Sequence, residues 1–171
     1  MEVRPLREDD DRAAFRSGEP DLDRFLHKFA GQNQFKHYVG VTYVAVQDGA
    51  ILGYATVSSG HIEIDELPAG VRKKLPQYPL PILRLARLAV DETARGQGLG
   101  QLLLRFVLKL SITMSSLSGC IGVVVDAKAG AIDFYKKYGF IPLDTLEGQS
   151  EARPQPTEMF LAMRAIKASS A

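Results

Sequence analysis

At 171 residues the chain has the length of one domain, and its 46% hydrophobic content is enough for a packed core. Its 21 Lys plus Arg against 20 Asp plus Glu leave a formal charge of +1. That balance excludes binding driven by bulk basicity, though not a local basic face. Cys120 is the single cysteine, which excludes an intrachain disulfide and is expected as a buried small hydrophobe. The first residues carry no apolar signal core, and no apolar run approaches the ~18 residues that cross a bilayer. A soluble cytoplasmic protein, without a membrane partner, is expected.

In chain order, Val3 to Leu6 is expected as a short strand ahead of the acidic run Glu8 to Asp11. Pro20 suits a first helical turn, and Leu22, Phe25, Leu26 and Phe29 then form one apolar stripe at i, i+3, i+4 and i+7. That helix is expected to fade near Gly31. Val39, Val41 and Tyr43 lead a strand through Val46, Asp48-Gly49 marks a tight hairpin, and Ile51 to about Ser58 returns. His61 to Pro81 reads as a short helix or irregular excursion ended by prolines. Ile82 to Val90 is the next strand, followed by Asp91 to Ala94 and a glycine loop.

Leu99 to Leu110 is a strongly apolar helix, with Leu102, Leu103, Phe106, Val107 and Leu110 as inward candidates. The β-branched run Ile121 to Val125 is expected as a central strand. Ala129 to Tyr138 is a helix closed by Gly139, Phe140 to Leu143 and Met159 to Met163 are closing strands, and Asp144 to Thr157 is a polar loop between them. A mixed sheet with helices on its faces, in a single domain spanning 1–171, is the expected architecture.

Arg95-Gly96-Gln97-Gly98-Leu99-Gly100 lies between a strand and a helix. Its glycines let the backbone turn tightly and approach a ligand, and the free N–H groups of the new helix favour an anion. Arg95 adds a charge-assisted partner for phosphate oxygens. By itself the pattern is either such a cradle or a structural turn. It lacks the Gly-Lys-Ser/Thr of a Walker loop and a complete G-x-G-x-x-G early in a βαβ unit.

The wider string is more specific. Arg87-Leu88-Ala89-Val90-Asp91, the loop 95–100, and Ala131-Ile132-Asp133-Phe134-Tyr135-Lys136-Lys137-Tyr138-Gly139-Phe140 together resemble the GNAT superfamily of acetyl-CoA-dependent N-acetyltransferases. The resemblance implies the GNAT fold, an α/β (α+β) architecture with a central mixed, mostly antiparallel twisted sheet flanked by helices. It also implies acetyl-CoA as the donor. Leu88, Ala89 and Val90 would bond its pantetheine arm like an added strand, and Arg95, Gly96, Gln97, Gly98, Leu99 and Gly100 would hold its pyrophosphate. Ala131 and Phe134 would pack along its other side. Lys128 departs from the family, standing where an Asn is common; either a pantetheine contact is lost there or a phosphate or substrate contact is gained.

Tyr135 takes the place of the tyrosine that protonates the departing thiolate in many family members; a phenol of pKa ~10 is neutral at pH 7 and able to donate. Tyr138, three residues on, is expected as core packing. No obvious base is present, because the strand Ile82 to Val90 offers Arg84 and Arg87 but no carboxylate. Glu63, Asp65 and Glu66 remain open as bases acting through water. An α-amine of pKa ~8 needs less help than a lysine amine of pKa ~10.4, which favours a low-pKa acceptor.

Ser17-Gly18-Glu19-Pro20-Asp21-Leu22-Asp23-Arg24-Phe25-Leu26, with Gln32-Asn33-Gln34, Gly53 to Gly60 and Pro81 to Val90, resembles the GNAT toxins of type II toxin–antitoxin systems. That resemblance implies acetylation of aminoacyl-tRNA and pairing with a ribbon–helix–helix antitoxin, and it leaves a homodimer open. Arg72, Lys73, Lys74, Arg84 and Arg87 are the candidate RNA or substrate contacts, together with Lys36, Lys136 and Lys137. Arg84 and Arg87 point to opposite faces of a regular strand unless a bulge intervenes. His27, His37 and His61 lack metal-ligand spacing, and no metal is expected. Two other readings are a GNAT enzyme acting on a small amine or protein N-terminus, and a catalytically silent acyl-CoA-binding module.

Overall fold

The computed structural model describes residues 1–143 and 156–170. The polar loop expected from Asp144 lies outside the described residues as far as 155. Seven strands form one sheet in the order β1-β2-β3-β4-β5-β7-β6, accompanied by helices, the mixed α/β architecture expected. The chain divides into two compact units, Met1–Ser58 with Leu85–Lys109, and Ser59–Arg84 with Leu110–Ala171.

In the first unit, β1 (Glu2–Pro5) and β2 (Val41–Gln47) pair antiparallel, as do β2 and β3 (Ala50–Ile62). Asp48 (φ 52°) and Gly49 (φ 80°) make the expected hairpin turn, whose left-handed residues follow the strand twist. A register shift between Ala45 and Val46 puts a bulge in this ladder. The helical segment begins at α1 (Pro20–Arg24), widens into a π-helical turn at Phe25–Phe29 and resumes as α2 (Ala30–Phe35). It therefore continues through Gly31 rather than fading there. A Cβ at Gly31 would lie 2.4 Å from Arg12 Nη1, the end of a flexible side chain that can shift aside.

The π turn also explains why Phe29 leaves the stripe. Its wider winding (Ala30 N–H to Phe25 O) turns Phe29 outward, while Leu22, Phe25 and Leu26 are buried with Leu6, Phe15, Val44 and Tyr54. Tyr54 secures the packing by donating its hydroxyl to Leu22 O at 2.6 Å and meeting Phe15 edge-on at 5.5 Å.

Helix α4 (Leu99–Leu117) starts in the first unit and is seven residues longer than expected. No breaker intervenes before Gly119 (φ 92°), where Ser118 and Gly119 both donate to Met114 O. Leu102 is 40% exposed, whereas Leu99 and Leu104, outside the expected inward set, are buried.

In the second unit β5 (Gly122–Ala127) pairs antiparallel with β7 (Thr157–Ala162), which also pairs with β6 (Ile141–Pro142). The strand β4 (Leu80–Val90) contributes its first five residues here and the remainder to the first unit. Val124, Phe160, Ile62, Leu67, Leu80 and Ile82 share one core. The excursion after β3 contains a 3-10 turn at Ile64–Glu66 and the short helix α3 (Ala69–Arg72). Cys120 is buried as expected, its thiol donating to Gly122 O. Helix α5 (Ile132–Lys137) follows a 3-10 turn at Ala129–Ala131. Met163 does not close the last strand but opens α6 (Met163–Ser169), its N–H bonding Ile121 O.

Candidate active site

The glycine loop of the first unit is anchored on both its chain neighbours and the segment 16–19. As β4 ends, Asp91 N–H donates to Leu52 O and Glu92 N–H to Arg16 O, both at 2.8 Å. The Asp91 carboxylate accepts from Arg16 N at 2.9 Å, Thr93 N at 3.0 Å and Thr93 Oγ1 at 2.7 Å. Burial opposes its ionisation, but these donors and the Arg16 charge outweigh that cost and hold its pKa below the ordinary aspartate value. The Arg95 guanidinium donates to Ser17 O. Ser17 is itself fixed by Asp23, which accepts from its N–H at 2.8 Å and its Oγ at 2.6 Å. The Ser17-to-Asp23 stretch thus sets the position of Arg95.

Beyond Arg95, Gly96 (φ 78°) and Gly98 (φ 79°) take backbone conformations that side chains disfavour. A Cβ at either would meet nothing within 4 Å, so the space beside this backbone is open. Leu102 N–H to Gly98 O at 3.0 Å is the bond that starts the α4 ladder, leaving the preceding N–H groups unused by the helix. Arg95, Gly96, Gln97 and Gly98 are exposed, Gly100 is half-buried and Leu99 is buried. An open, N–H-rich loop at the head of a 19-residue helix, with an arginine at its start, fits a pyrophosphate. Ala89 is buried and Leu88 and Val90 are half-buried just upstream. Arg87 stacks 3.8 Å over the Phe25 ring, in the wall of a cavity of about 80 Å³ shared with Asn33, Thr56 and Ser58.

The second unit holds Lys128, Ala131, Phe134 and Tyr135. Lys128 is the extended residue before the 3-10 turn, and Ala131 N–H donates back to its carbonyl at 2.8 Å. Tyr135 is only 4% exposed. Its ring meets Phe134 and Phe140 edge-on, at 5.1 and 5.4 Å, and its carbonyl accepts from Tyr138 and Phe140 as the helix ends at Gly139. Burial, reinforced by the Asp126 charge, pushes the Tyr135 pKa well above the ordinary phenol range. The phenol therefore carries its proton at neutral pH. Tyr138 is half-buried and packs edge-on against Phe134 at 5.2 Å, as expected.

The expected basic set divides. Arg72, Lys73 and Lys74 are exposed at the end of α3. Arg84 is not a free cation: its Nη1 donates to Asp126 Oδ1 at 2.8 Å and lies 4.0 Å from Glu158 Oε1. Asp126 and Glu158 had not been singled out from the sequence, although a lone carboxylate in Gly122-Val123-Val124-Val125-Asp126 was a visible signal. They are direct cross-strand partners on β5 and β7. Burial raises the Glu158 pKa, and Asp126 and Glu66 add to the rise against the opposing Arg84 charge.

A strand running into an anchored glycine loop at the head of a long helix, in a sheet of this order, defines an acyl-CoA-type transferase. The family model for the acetyltransferase (GNAT) domain matches residues 39–142, and the chain belongs to the GNAT acetyltransferase family. It is 33% identical over 148 residues to a tRNA-acetylating toxin of Mycobacterium tuberculosis (strain ATCC 25618 / H37Rv), covering 84% of this chain and 87% of that protein. The structure of AtaT complexed with acetyl-methionyl-tRNAfMet is similar across 99% of both chains, with a TM-score of 0.83 and 28% identity. A tyrosine-to-phenylalanine variant of AtaT, bound to the C-terminus of the antitoxin AtaR and acetyl-CoA, is similar over 99% of this chain and 98% of its own, with a TM-score of 0.76 and 25% identity. No described helix is long and apolar enough to cross a membrane.

Proposed function

We propose that the chain is a cytoplasmic toxin that uses acetyl-CoA to acetylate the α-amino group of aminoacyl-tRNA, restrained by a ribbon–helix–helix antitoxin. The observation that carries the donor half is the anchored loop, with its open glycines and unused N–H groups. The acceptor half draws on likeness to a tRNA-acetylating toxin over 84% of the chain. In this reading residues 1–171 act as one catalytic domain.

Acetyl-CoA supplies an activated acetyl group on a thioester. Gly96, Gln97, Gly98, Leu99 and Gly100 hold the pyrophosphate through backbone N–H groups, with Arg95 adding charge. Leu88, Ala89 and Val90 bond the pantetheine arm, and Lys128, Ala131 and Phe134 line it. Tyr135, neutral at pH 7 as an ordinary phenol is and held so more firmly by burial, serves as the acid for the departing sulfur. Arg72, Lys73, Lys74 and Arg87 meet RNA phosphates; Arg84, already paired, contributes less.

Incubation with labelled acetyl-CoA and a panel of charged tRNAs, beside peptides and small amines, tests the reading. Label on the aminoacyl group of charged tRNA is expected. Transfer to peptides or small amines with none to charged tRNA overturns the toxin assignment, and donor binding without any transfer overturns the enzyme assignment.

A further inference from the structure

An acceptor ammonium must lose a proton before its nitrogen can attack, and the strand β4 offers no carboxylate for that step. The second unit supplies one from elsewhere. Asp126 and Glu158, directly opposite on β5 and β7, leave the same face of the sheet, and Arg84 of β4 reaches both. The two carboxylates differ in their commitment. Asp126 takes the 2.8 Å bond from Arg84, whereas Glu158 stands at 4.0 Å with a side chain 45% exposed, reachable by a ligand.

Burial and the neighbouring Asp126 and Glu66 charges raise the proton affinity of Glu158 against the pull of Arg84. Asp126 also acts electrostatically on Tyr135, a residue that is more than nine-tenths buried. The phenol and the carboxylate pair therefore share one electrostatic neighbourhood. Among the described residues, the charged and titratable groups acting on Glu158 are Arg84 from β4, Asp126 from β5 and Glu66 from the 3-10 turn.

We propose that Glu158, positioned by Arg84 and Asp126, is the base that takes the proton from the acceptor amine. This rests on the N-acetyltransferase reading above. Glu158 Oε accepts one ammonium proton and passes it to solvent. The freed nitrogen lone pair forms the N–C bond as the C–S bond breaks. Tyr135 Oη gives its proton to the departing sulfur and recovers the nitrogen's second proton, so each turnover releases one proton.

The test uses the full chain. Carbon-13 NMR of its glutamate carboxyls, with Glu158→Gln identifying the resonance, is expected to show Glu158 titrating above the ordinary ~4.3. Glu158→Gln is expected to lower kcat/KM about 10²-fold near pH 6, with the deficit shrinking as pH approaches the amine's own pKa of ~8. Acetyl-CoA affinity should be unchanged, and Glu158→Asp should restore part of the rate. A Glu158 midpoint at or below the ordinary value, or a Glu158→Gln chain with the wild-type pH profile, overturns the proposal. Wild-type transfer to another amine but to no charged tRNA overturns the tRNA reading alone, and the pH profile is then read on that amine.

Discussion

Asp91 in the first unit and Tyr135 in the second are both buried acids, yet their surroundings shift their proton affinities in opposite directions. Asp91 faces two backbone N–H groups and a hydroxyl, which stabilise the anion more than burial penalises it. Tyr135 lies beside the Phe134 and Phe140 rings, and its burial and the Asp126 charge both disfavour the phenolate. A carboxylate held ionised is suited to tying a loop in place, and a phenol that carries its proton at neutral pH has one to deliver. In the function proposed above, the first unit would hold the donor through its backbone and the second would move protons through a side chain.

Tyr135→Phe should expose that separation most strongly. Removing the hydroxyl leaves the ring packing intact, so kcat is expected to fall at least about 10²-fold while acetyl-CoA affinity stays within about twofold. Stopped-flow turnover and calorimetric binding on the same preparation check it. An equal loss in binding would make Tyr135 a packing residue and erase the contrast.

Gly98→Val attacks the other side. At φ 79° a β-branched residue is strained by roughly 1–2 kcal/mol, and its side chain would occupy the open space beside the loop. Acetyl-CoA affinity is expected to weaken about tenfold or more, with kcat at saturating donor changed far less. A variant that binds normally but turns over slowly would move proton chemistry into the loop.

The parts of the site were not equally legible in the sequence. The loop was, because left-handed backbone at a helix start demands glycine, and Gly96 and Gly98 are local in the chain. Tyr135 was, through its neighbours Phe134 and Gly139-Phe140. The cluster of Arg84, Asp126 and Glu158 was not, because strand pairing assembles it from residues 42 and 32 positions apart and no local period announces that pairing. The Phe25–Phe29 π turn escaped for a related reason. Its residues satisfy an ordinary helical stripe as far as Leu26, and only the winding turns Phe29 out. Arg95 was read as a phosphate partner, but the side chain's hold on Ser17 O required a contact across 78 residues.

Asp91→Asn is the subtlest way to sharpen the comparison, because it alters charge with almost no change in shape. An asparagine can still accept from Thr93, but its amide nitrogen cannot accept from Arg16 N–H, so one charge-assisted bond becomes a donor without an acceptor. A loss of about 2 kcal/mol of stability is expected at pH 7, with a matching drop in Tm. Because the folded pKa lies below the unfolded value of about 3.9, the anion's contribution is complete above that value and disappears as pH falls through the folded pKa. Melting curves of the wild type and the variant should therefore lie apart at pH 7 and converge as the wild-type carboxylate protonates in acid. A gap that persists unchanged to pH 2 would mean that Asp91 holds the loop by shape rather than by charge, and the opposition to Tyr135 would reduce to packing.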